Sequence, residues 1–185
     1  MIITNSREKI LNTIIYFANH TKYCGKTKLL KLLYFFDFFH FKETGKSVTG
    51  LDYFAWEMGP VPNDLFEELS YNMKPDMKNT IHDLPEEGFQ QIRPKKKFDD
   101  KYFSNREMNL LEKIAYIFKE AKADTMVEST HLKKEPWDKT LREKGKFEKI
   151  DYMLAIDSEI VGLPHNEARE RMEERSEMYR IFGAE

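Results

Sequence analysis

The sequence predicts a mainly α fold: a compact helical domain around a central hydrophobic helix, with a small antiparallel β element. The segment KTKLLKLLYFFDFFHFKET, which provides the central helix, is apolar on nearly every side, as is typical of a helix surrounded by other elements. Most other segments repeat apolar residues every three or four positions, the spacing of an amphipathic helix. The aromatic run from Tyr53 to Trp56 is instead typical of a strand.

The first two helices have recognisable ends. The first is predicted to begin with Ser6 as its N-cap and to follow apolar residues at helical spacing as far as Ala18. Gly25 separates it from the second helix, which runs from about Thr27 to Thr44. Gly45 ends the second helix in the C′ position, where glycine adopts a left-handed backbone conformation at little cost.

A small β layer is predicted after the second helix. The strand from Tyr53 to Trp56 is ended by Gly59-Pro60, and Pro62 fits the first turn of a third helix. The stretch from Pro75 to Asp100 is the least regular part of the chain and offers one strand candidate, Phe89 to Arg93. We therefore expect a two- or three-stranded hairpin layer that includes the Tyr53 strand.

The C-terminal half returns to helical patterns. Ser104 and Glu107 have the spacing of a capping box and open a fourth helix. Asp124 is predicted to cap a fifth helix that runs through His131 and is interrupted by Pro136. Three further segments are expected to be packed or helical: a turn from Trp137 to about Gly145, an apolar stretch over residues 147–154, and a charged last helix at about residues 166–182.

Composition limits the class of protein. The 185 residues carry 30 Lys and Arg against 32 Asp and Glu, a net charge of -2, whereas proteins that coat nucleic acid are markedly basic. The aromatic content of 14% is too high for a disordered chain. Because there is no internal repeat and no low-complexity linker, we expect residues 1–185 to form a single domain.

The same composition predicts a cytoplasmic protein without a membrane partner. The one cysteine, Cys24, excludes an internal disulfide and a Cys-rich zinc site, and is typical of a reducing compartment. The N-terminal residues lack the pattern of a secretory signal. The longest apolar stretch, residues 29–41, is interrupted by polar residues and is shorter than the roughly 20 residues that cross a bilayer.

No motif indicates an enzyme, a metal site or a cofactor. The five histidines are not paired with one another or with cysteine at metal-ligand spacing. Adjacent carboxylates such as Glu67 and Glu68 are typical of a solvated surface. The sequence Gly25-Lys26-Thr27 lacks the upstream glycine of a phosphate-binding loop, and no nucleophile elbow occurs. We therefore expect no catalytic residues and no cofactor.

One basic run offers a possible phosphate contact through Arg93, Lys95, Lys96 and Lys97. If this run binds DNA phosphates, the protein would be a DNA-binding regulator of its own operon. We favour the alternative that the run is the solvated edge of a hairpin, which lysines protect from aggregation. Nucleic acid is therefore a less favoured partner.

The second helix carries Lys31, Asp37 and His40 among its leucine, tyrosine and phenylalanine residues. Asp37 and His40 are three residues apart, close enough on a helix to form a hydrogen bond. Since burying an unpaired charge is costly, these groups either pair internally, face a groove, or mark a narrow exposed edge. An acid–base dyad of Asp37 and His40 is the least supported alternative.

Several short motifs then follow in the order of a known family. They are KLLKLLYF at residues 28–35, His40, TGK at 44–46, FAW at 54–56, GPV at 59–61, LF at 65–66, His131 and PW at 136–137. In this order they resemble the SocA-like antitoxin family, whose domain is called Panacea and which includes phage-associated GepA-like proteins. The resemblance covers roughly residues 10–145. The sequence departs from it at residues 36–39, over residues 71–100 and in the charged tail from Asn166.

The resemblance implies a mainly α-helical antitoxin that neutralises a cognate toxin protein by direct contact. In the member that gives the family its name, the antitoxin also delivers its toxin to the ClpXP protease, so a protease of this type is a possible partner. The resemblance does not indicate the toxin, the contact face or the oligomeric state.

An antitoxin needs aromatic anchors and a few oriented polar groups. On this ground the predicted partner-binding residues are Lys31, Tyr34, Asp37, His40, Trp56, His131 and Trp137. The alternative for the two tryptophans is that they are core rings that hold the strand layer on the second helix, and for Trp137 we favour it.

Overall fold

The computed structural model describes residues 5–85, 88–131 and 135–156 and confirms a mainly helical chain with a small antiparallel sheet. The helices are α1 (Ser6–His20), α2 (Lys26–Thr44), α3 (Asn63–Ser70), α4 (Pro75–Lys78), α5 (Asn105–Ile117), α6 (Ala123–Thr130) and α7 (Pro136–Glu143). The strands are β1 (Phe54–Trp56) and β2 (Gly59–Val61), and 3₁₀ helices lie at Asp100–Tyr102 and Tyr152–Ala155. Among these residues, no helix is long and apolar enough to cross a membrane.

Helix α2 is the centre of the fold, as its sequence predicts. It packs against α1, α3, α5, α6, β2 and the second 3₁₀ helix. Every residue from Lys28 to Phe38 is buried, and Phe39 is the first exposed residue after them. Gly45 follows the helix with φ of 69°, the left-handed conformation expected of a C′ glycine. The side chains of α2 are therefore the framework on which most of the other elements are positioned.

The predicted small β layer is present and contains the predicted strand as β1, but the segments that pair with it are not the ones predicted. Strand β1 pairs with β2 in an antiparallel hairpin, with Phe54 opposite Val61 and Trp56 opposite Gly59. The other side of β1 accepts the segment 147–150, whose backbone forms hydrogen bonds of 2.8–2.9 Å with Tyr53 and Ala55. The layer thus has a third, strand-like member from the C-terminal half of the chain.

The predicted strand from Phe89 to Arg93 is wrong. This segment has no regular structure, and a single bridge joins Ile81 to Pro94 beside it. Pro94 has no N–H to continue a ladder, and Phe89 is 68% exposed, so the segment lacks a buried face that would hold it in a sheet. It is held instead by Ile92, whose N–H donates to the carbonyl of Cys24.

Three helix starts lie a residue or two from their predicted positions. Asn5, not Ser6, is the N-cap of α1, and its side chain forms no capping hydrogen bond. Pro62 is the N-cap of α3, and so precedes its first turn. Lys122 is the N-cap of α6, which places Asp124 inside the first turn. A carboxylate in the first turn interacts favourably with the helix dipole, as one at the N-cap does. An aspartate near a helix start is therefore compatible with either position, and the sequence pattern does not distinguish them.

Of the other C-terminal predictions, the capping box and the break at Pro136 are confirmed, whereas the packed segment at residues 147–154 is confirmed for Ile150 and Met153 and wrong for Phe147, which is 61% exposed. The N–H of Ser104 donates to the Glu107 carboxylate and the N–H of Glu107 donates to the Ser104 hydroxyl, which is the predicted capping box. Helix α6 ends at Thr130, and Pro136 begins α7, with Trp137 in its first turn. The predicted helix at residues 166–182 lies outside the described residues.

Candidate functional site

The predicted partner-binding residues lie in two clusters along α2. The first, which we call the tryptophan cluster, consists of Lys31, Tyr34, Trp56, His131 and Trp137. The second, which we call the loop anchor, consists of Asp37 and His40 with the loop at residues 44–53. Five of the seven are buried, namely Lys31, Tyr34, Asp37, His40 and Trp137, and only Trp56 and His131 are partly exposed. Their contact with a partner stays a prediction.

Trp137 joins three elements in the tryptophan cluster. Its indole N–H donates to the carbonyl of Trp56 at 2.8 Å, and its ring stacks on His131 with 3.9 Å between centroids. Burial raises the pKa of Tyr34 on α2, and the nearby backbone of Trp137 opposes that rise. With 5% of its surface exposed, Trp137 is a core ring, as the favoured alternative predicts. It fixes α7 to both α2 and β1.

Trp56 is held from both ends. Its indole N–H donates to Asn63 Oδ1 at 2.8 Å, while its carbonyl accepts the hydrogen bond of Trp137. Asn63 is the first residue of α3, so the bond ties the hairpin to the start of that helix. The half-buried Trp56 ring therefore has one orientation, which is the condition for a rigid contact residue.

Lys31 is the most unusual group of the cluster. Only 2% of the residue is exposed, and its ammonium group donates to the carbonyl of Pro60 at 2.8 Å. No carboxylate pairs with it in the described part of the chain, and burial lowers the pKa of Lys31 to about 7. Burial and the charge of Lys31 also lower the pKa of His131, whose Nε2 is buried without a described partner.

The position of Gly59 in the hairpin requires a glycine, for two reasons. Its φ is +98°, which side chains rarely adopt. A Cβ atom there would lie 2.7 Å from Thr130 Oγ1 and 3.0 Å from Lys31 Nζ. Only glycine lets β2 come so close to α2 and α6. The sequence analysis missed Gly59 and Thr130 as members of the cluster, since their proximity is a matter of tertiary packing.

We expect replacement of Lys31 by methionine to change how stability depends on pH. Between the folded pKa of about 7 and the usual lysine value, the unfolded chain holds the proton and the folded chain does not. The free energy of unfolding of the wild-type protein should therefore rise with pH, relative to Lys31→Met, by about 1 kcal/mol per pH unit from pH 7 to pH 10. Below pH 7 both states are protonated and this relative slope should disappear.

Urea unfolding of both proteins at several pH values measures this difference. Lys42→Met, on a half-exposed position of the same helix, controls for the loss of a lysine. If the wild-type and Lys31→Met stabilities run parallel from pH 7 to pH 10, the buried ammonium group is not the cause.

The loop anchor is built around Asp37, which is fully buried. Its Oδ1 accepts hydrogen bonds from the backbone N–H groups of Val48 and Thr49, at 2.8 and 2.7 Å. Its Oδ2 accepts from the Thr49 hydroxyl and, at 2.8 Å, from the Tyr53 hydroxyl. Burial raises the pKa of Asp37, and these hydrogen bonds oppose that rise. The carboxyl group thus fastens the loop before β1 to the central helix.

His40 binds the same loop independently of Asp37. Its Nδ1 lies 2.6 Å from the carbonyl of Lys46, while Thr44 donates its hydroxyl hydrogen to the His40 carbonyl. The two side chains therefore do not form the hydrogen-bonded pair that an acid–base dyad needs. The alternative that Lys31, Asp37 and His40 mark an exposed edge is wrong, because all three are buried. Internal pairing, with backbone groups as partners, accounts for each of them.

The basic run at residues 93–97 is exposed at all four cationic positions, Arg93, Lys95, Lys96 and Lys97. Backbone hydrogen bonds join it to residues 80–82, and the Lys95 ammonium group donates to the carbonyl of Lys78. The run is solvated, as the favoured alternative predicts, but it borders the isolated antiparallel bridge between Ile81 and Pro94 and not a regular strand. Its contact with phosphate stays a prediction.

Lys28 is a structural residue that the sequence analysis missed. Its ammonium group donates to the carbonyls of Lys22, Phe118 and Ala121 at 2.6–2.7 Å. Carbonyls at the end of a helix lack partners within it, and α5 has no basic residue in its own last turn. Lys28 supplies that charge from α2. A lysine on a mostly apolar, buried helix was the available signal for such a contact.

A comparison with protein families matches residues 29–138 to the family described as "Antitoxin SocA-like, Panacea domain". The matched residues are more than half of the chain and include all seven predicted partner-binding residues. They begin in α2 and end in α7, so both clusters lie within the match. Searches of curated proteins and of solved structures gave no significant match.

Proposed function

The chain belongs to the SocA-like antitoxin family with a Panacea domain, and we propose on this ground that it neutralises a cognate toxin protein by binding it directly. The family match, which spans both clusters around α2, is the observation that carries the proposal. The engagement of Asp37 and His40 with the loop at residues 44–53 supports neutralisation by binding and not by catalysis. We also propose that the protein acts in the cytoplasm, where the buried thiol of Cys24 remains reduced.

The experiment is co-expression with the product of the neighbouring gene. Expression of that product alone should arrest growth, and co-expression with this chain should restore it. The two proteins should then elute together as a stoichiometric complex. If the neighbouring product is harmless, or if growth is not restored and no complex forms, the antitoxin proposal is wrong.

The mass of the toxin separates binding from enzymatic modification. Toxin released from the complex by denaturant should have the mass of the unmodified chain and should regain its toxicity after refolding. A covalent change in the toxin would contradict neutralisation by binding alone. The half-life of the toxin, with and without a ClpXP-type protease, distinguishes blocking from delivery: blocking leaves the half-life unchanged, whereas delivery shortens it only when the protease and this chain are both present.

A further inference from the structure

Four aromatic rings form a continuous row on one surface of the β layer and α3. We call Phe147, Trp56, Phe66 and Tyr71 the aromatic row. The ring centroids of Trp56 lie 5.8 Å from Phe147 and 4.9 Å from Phe66, and those of Phe66 and Tyr71 lie 6.4 Å apart. Both ends are exposed, Phe147 by 61% and Tyr71 by 73%. Isolated exposed rings are ordinary, whereas a contiguous exposed apolar patch is typical of an interaction site.

The exposed Phe147 ring stands on a backbone conformation that is unfavourable for phenylalanine. Its φ is +66°, a left-handed conformation that costs a side chain of this kind about 1 kcal/mol or more. Hydrogen bonding fixes it there, because its N–H donates to the carbonyl of Ala55. The ring regains little of this cost through burial. Asparagine or glycine would suit the backbone better, so a phenylalanine at this position points to a use for the ring itself.

The middle of the row is rigid. Trp56 is oriented by the hydrogen bonds of its indole to Asn63 and of its carbonyl to Trp137. A ring that is already ordered loses little conformational entropy on binding. Tryptophan and tyrosine are also the residue types that carry most of the binding energy in protein interfaces.

A cation borders the row. The ammonium group of Lys26 lies 5.4 Å from the centroid of the Phe66 ring and donates to the Ser70 hydroxyl at 2.9 Å. Across the described ranges, Lys26 forms no ion pair. A partner that covers Phe66 would also cover this charge, so it must bring an anionic group to meet it.

We propose that the aromatic row is the docking surface for the cognate toxin, which would bind it with an apolar segment that carries a carboxylate beside its apolar side chains. This inference rests on the proposed function and adds to it the contact face and the chemistry of the partner segment. The apolar side chains cover the rings between Phe147 and Tyr71, and the carboxylate pairs with Lys26. The buried residues of the tryptophan cluster hold this surface in place from below.

Binding of the purified neighbouring-gene product to Phe147→Asn tests the proposal. Asparagine tolerates the left-handed backbone, so the melting temperature of this variant should equal or exceed that of the wild type. Its affinity for the toxin should nevertheless fall at least about 10-fold, the effect of removing one interface anchor. Tyr71→Ser should weaken binding in the same way, and Lys26→Met should both weaken it and reduce its dependence on salt.

Tyr116→Ser is the matched control. Tyr116 is 83% exposed, but it lies on α5, which packs against α1 and α2 and takes no part in the row. Its replacement should leave affinity within twofold of the wild type. If wild-type protein binds the toxin and Phe147→Asn and Tyr71→Ser bind it equally well, the docking surface is wrong while the antitoxin proposal stands. If the wild type itself does not bind, both proposals fail. A wild-type dimer that Phe147→Asn converts to a monomer would also overturn the inference, since a second copy would then occupy the row.

Discussion

Replacing Asp37 with alanine is expected to lower the free energy of unfolding by about 4 kcal/mol. The carboxyl group is the shared acceptor for donors on Val48, Thr49 and Tyr53, all of them buried. Alanine would leave these donors without an acceptor and without water. Because a domain of ordinary stability has only about 5–15 kcal/mol in total, the loss is a large fraction of it. Urea unfolding followed by circular dichroism measures the change.

Two variants separate the buried acceptor from general effects of the substitution. Tyr53→Phe removes one donor and keeps the other hydrogen bonds, so it should cost only about 1 kcal/mol. Glu43→Ala removes an exposed carboxylate from the same helix and should change stability by less than about 0.5 kcal/mol. A loss for Asp37→Ala no greater than that for Glu43→Ala would show that the loop does not depend on this carboxyl group.

Replacing Gly59 with alanine is expected to cost about 3 kcal/mol, from two separate causes. The first is the backbone, since φ is +98°. The second is the clash of the new Cβ with Thr130 Oγ1 at 2.7 Å and with Lys31 Nζ at 3.0 Å. Relief of the clash requires the Thr130 and Lys31 side chains to shift or β2 to move away from α2. A movement of β2 would disturb the backbone that leads to Trp56 and should then weaken the proposed binding of a toxin.

Gly145→Ala isolates the first cause. Its φ is +105° and no atom lies within 4 Å of the position of a new Cβ, so only the backbone cost of about 1–2 kcal/mol should remain. The clash itself is tested by repeating Gly59→Ala in a Thr130→Ala background, where it should cost about 1 kcal/mol less because the nearest atom is gone. Equal costs in the two backgrounds would show that Thr130 and the new Cβ do not interact.

The features that could be predicted from sequence are the ones that local interactions decide. The length of α2, its end at Gly45 and the capping box of Ser104 and Glu107 depend on residues within a few positions of one another. The strand predicted from Phe89 to Arg93 failed because a strand needs a partner elsewhere in the chain, and β1 pairs instead with β2 and with residues 147–150. No local pattern reports which of several segments will lie beside a strand.

In the candidate site, too, some features could be predicted from sequence and others depended on contacts between distant segments. The order of short motifs in the sequence indicated the antitoxin family, and the family match agrees with it. The sequence also singled out Lys31, Asp37 and His40 as groups that burial would make costly. It left open whether they pair, face a groove or lie on an exposed edge, because most of their partners are backbone atoms, at Pro60, at residues 48–49 and at Lys46, and because the hydroxyls of Thr49 and Tyr53 lie more than ten residues from Asp37. Backbone partners leave no trace in residue types.

By itself the sequence determined the helical class, the central place of α2 and the family. Apolar periodicity and helix caps depend on residues that are close in sequence, and the order of the family motifs can be read along the chain without knowing how the chain packs. Only the tertiary structure decided that the polar groups of α2 face inward and that aromatic rings from three separate segments, around Trp56, Phe66 and Phe147, meet on one surface. The physical reason is that burial and ring contact depend on which distant segments pack together. Packing is a property of the whole chain, whereas helix formation is a property of a few turns.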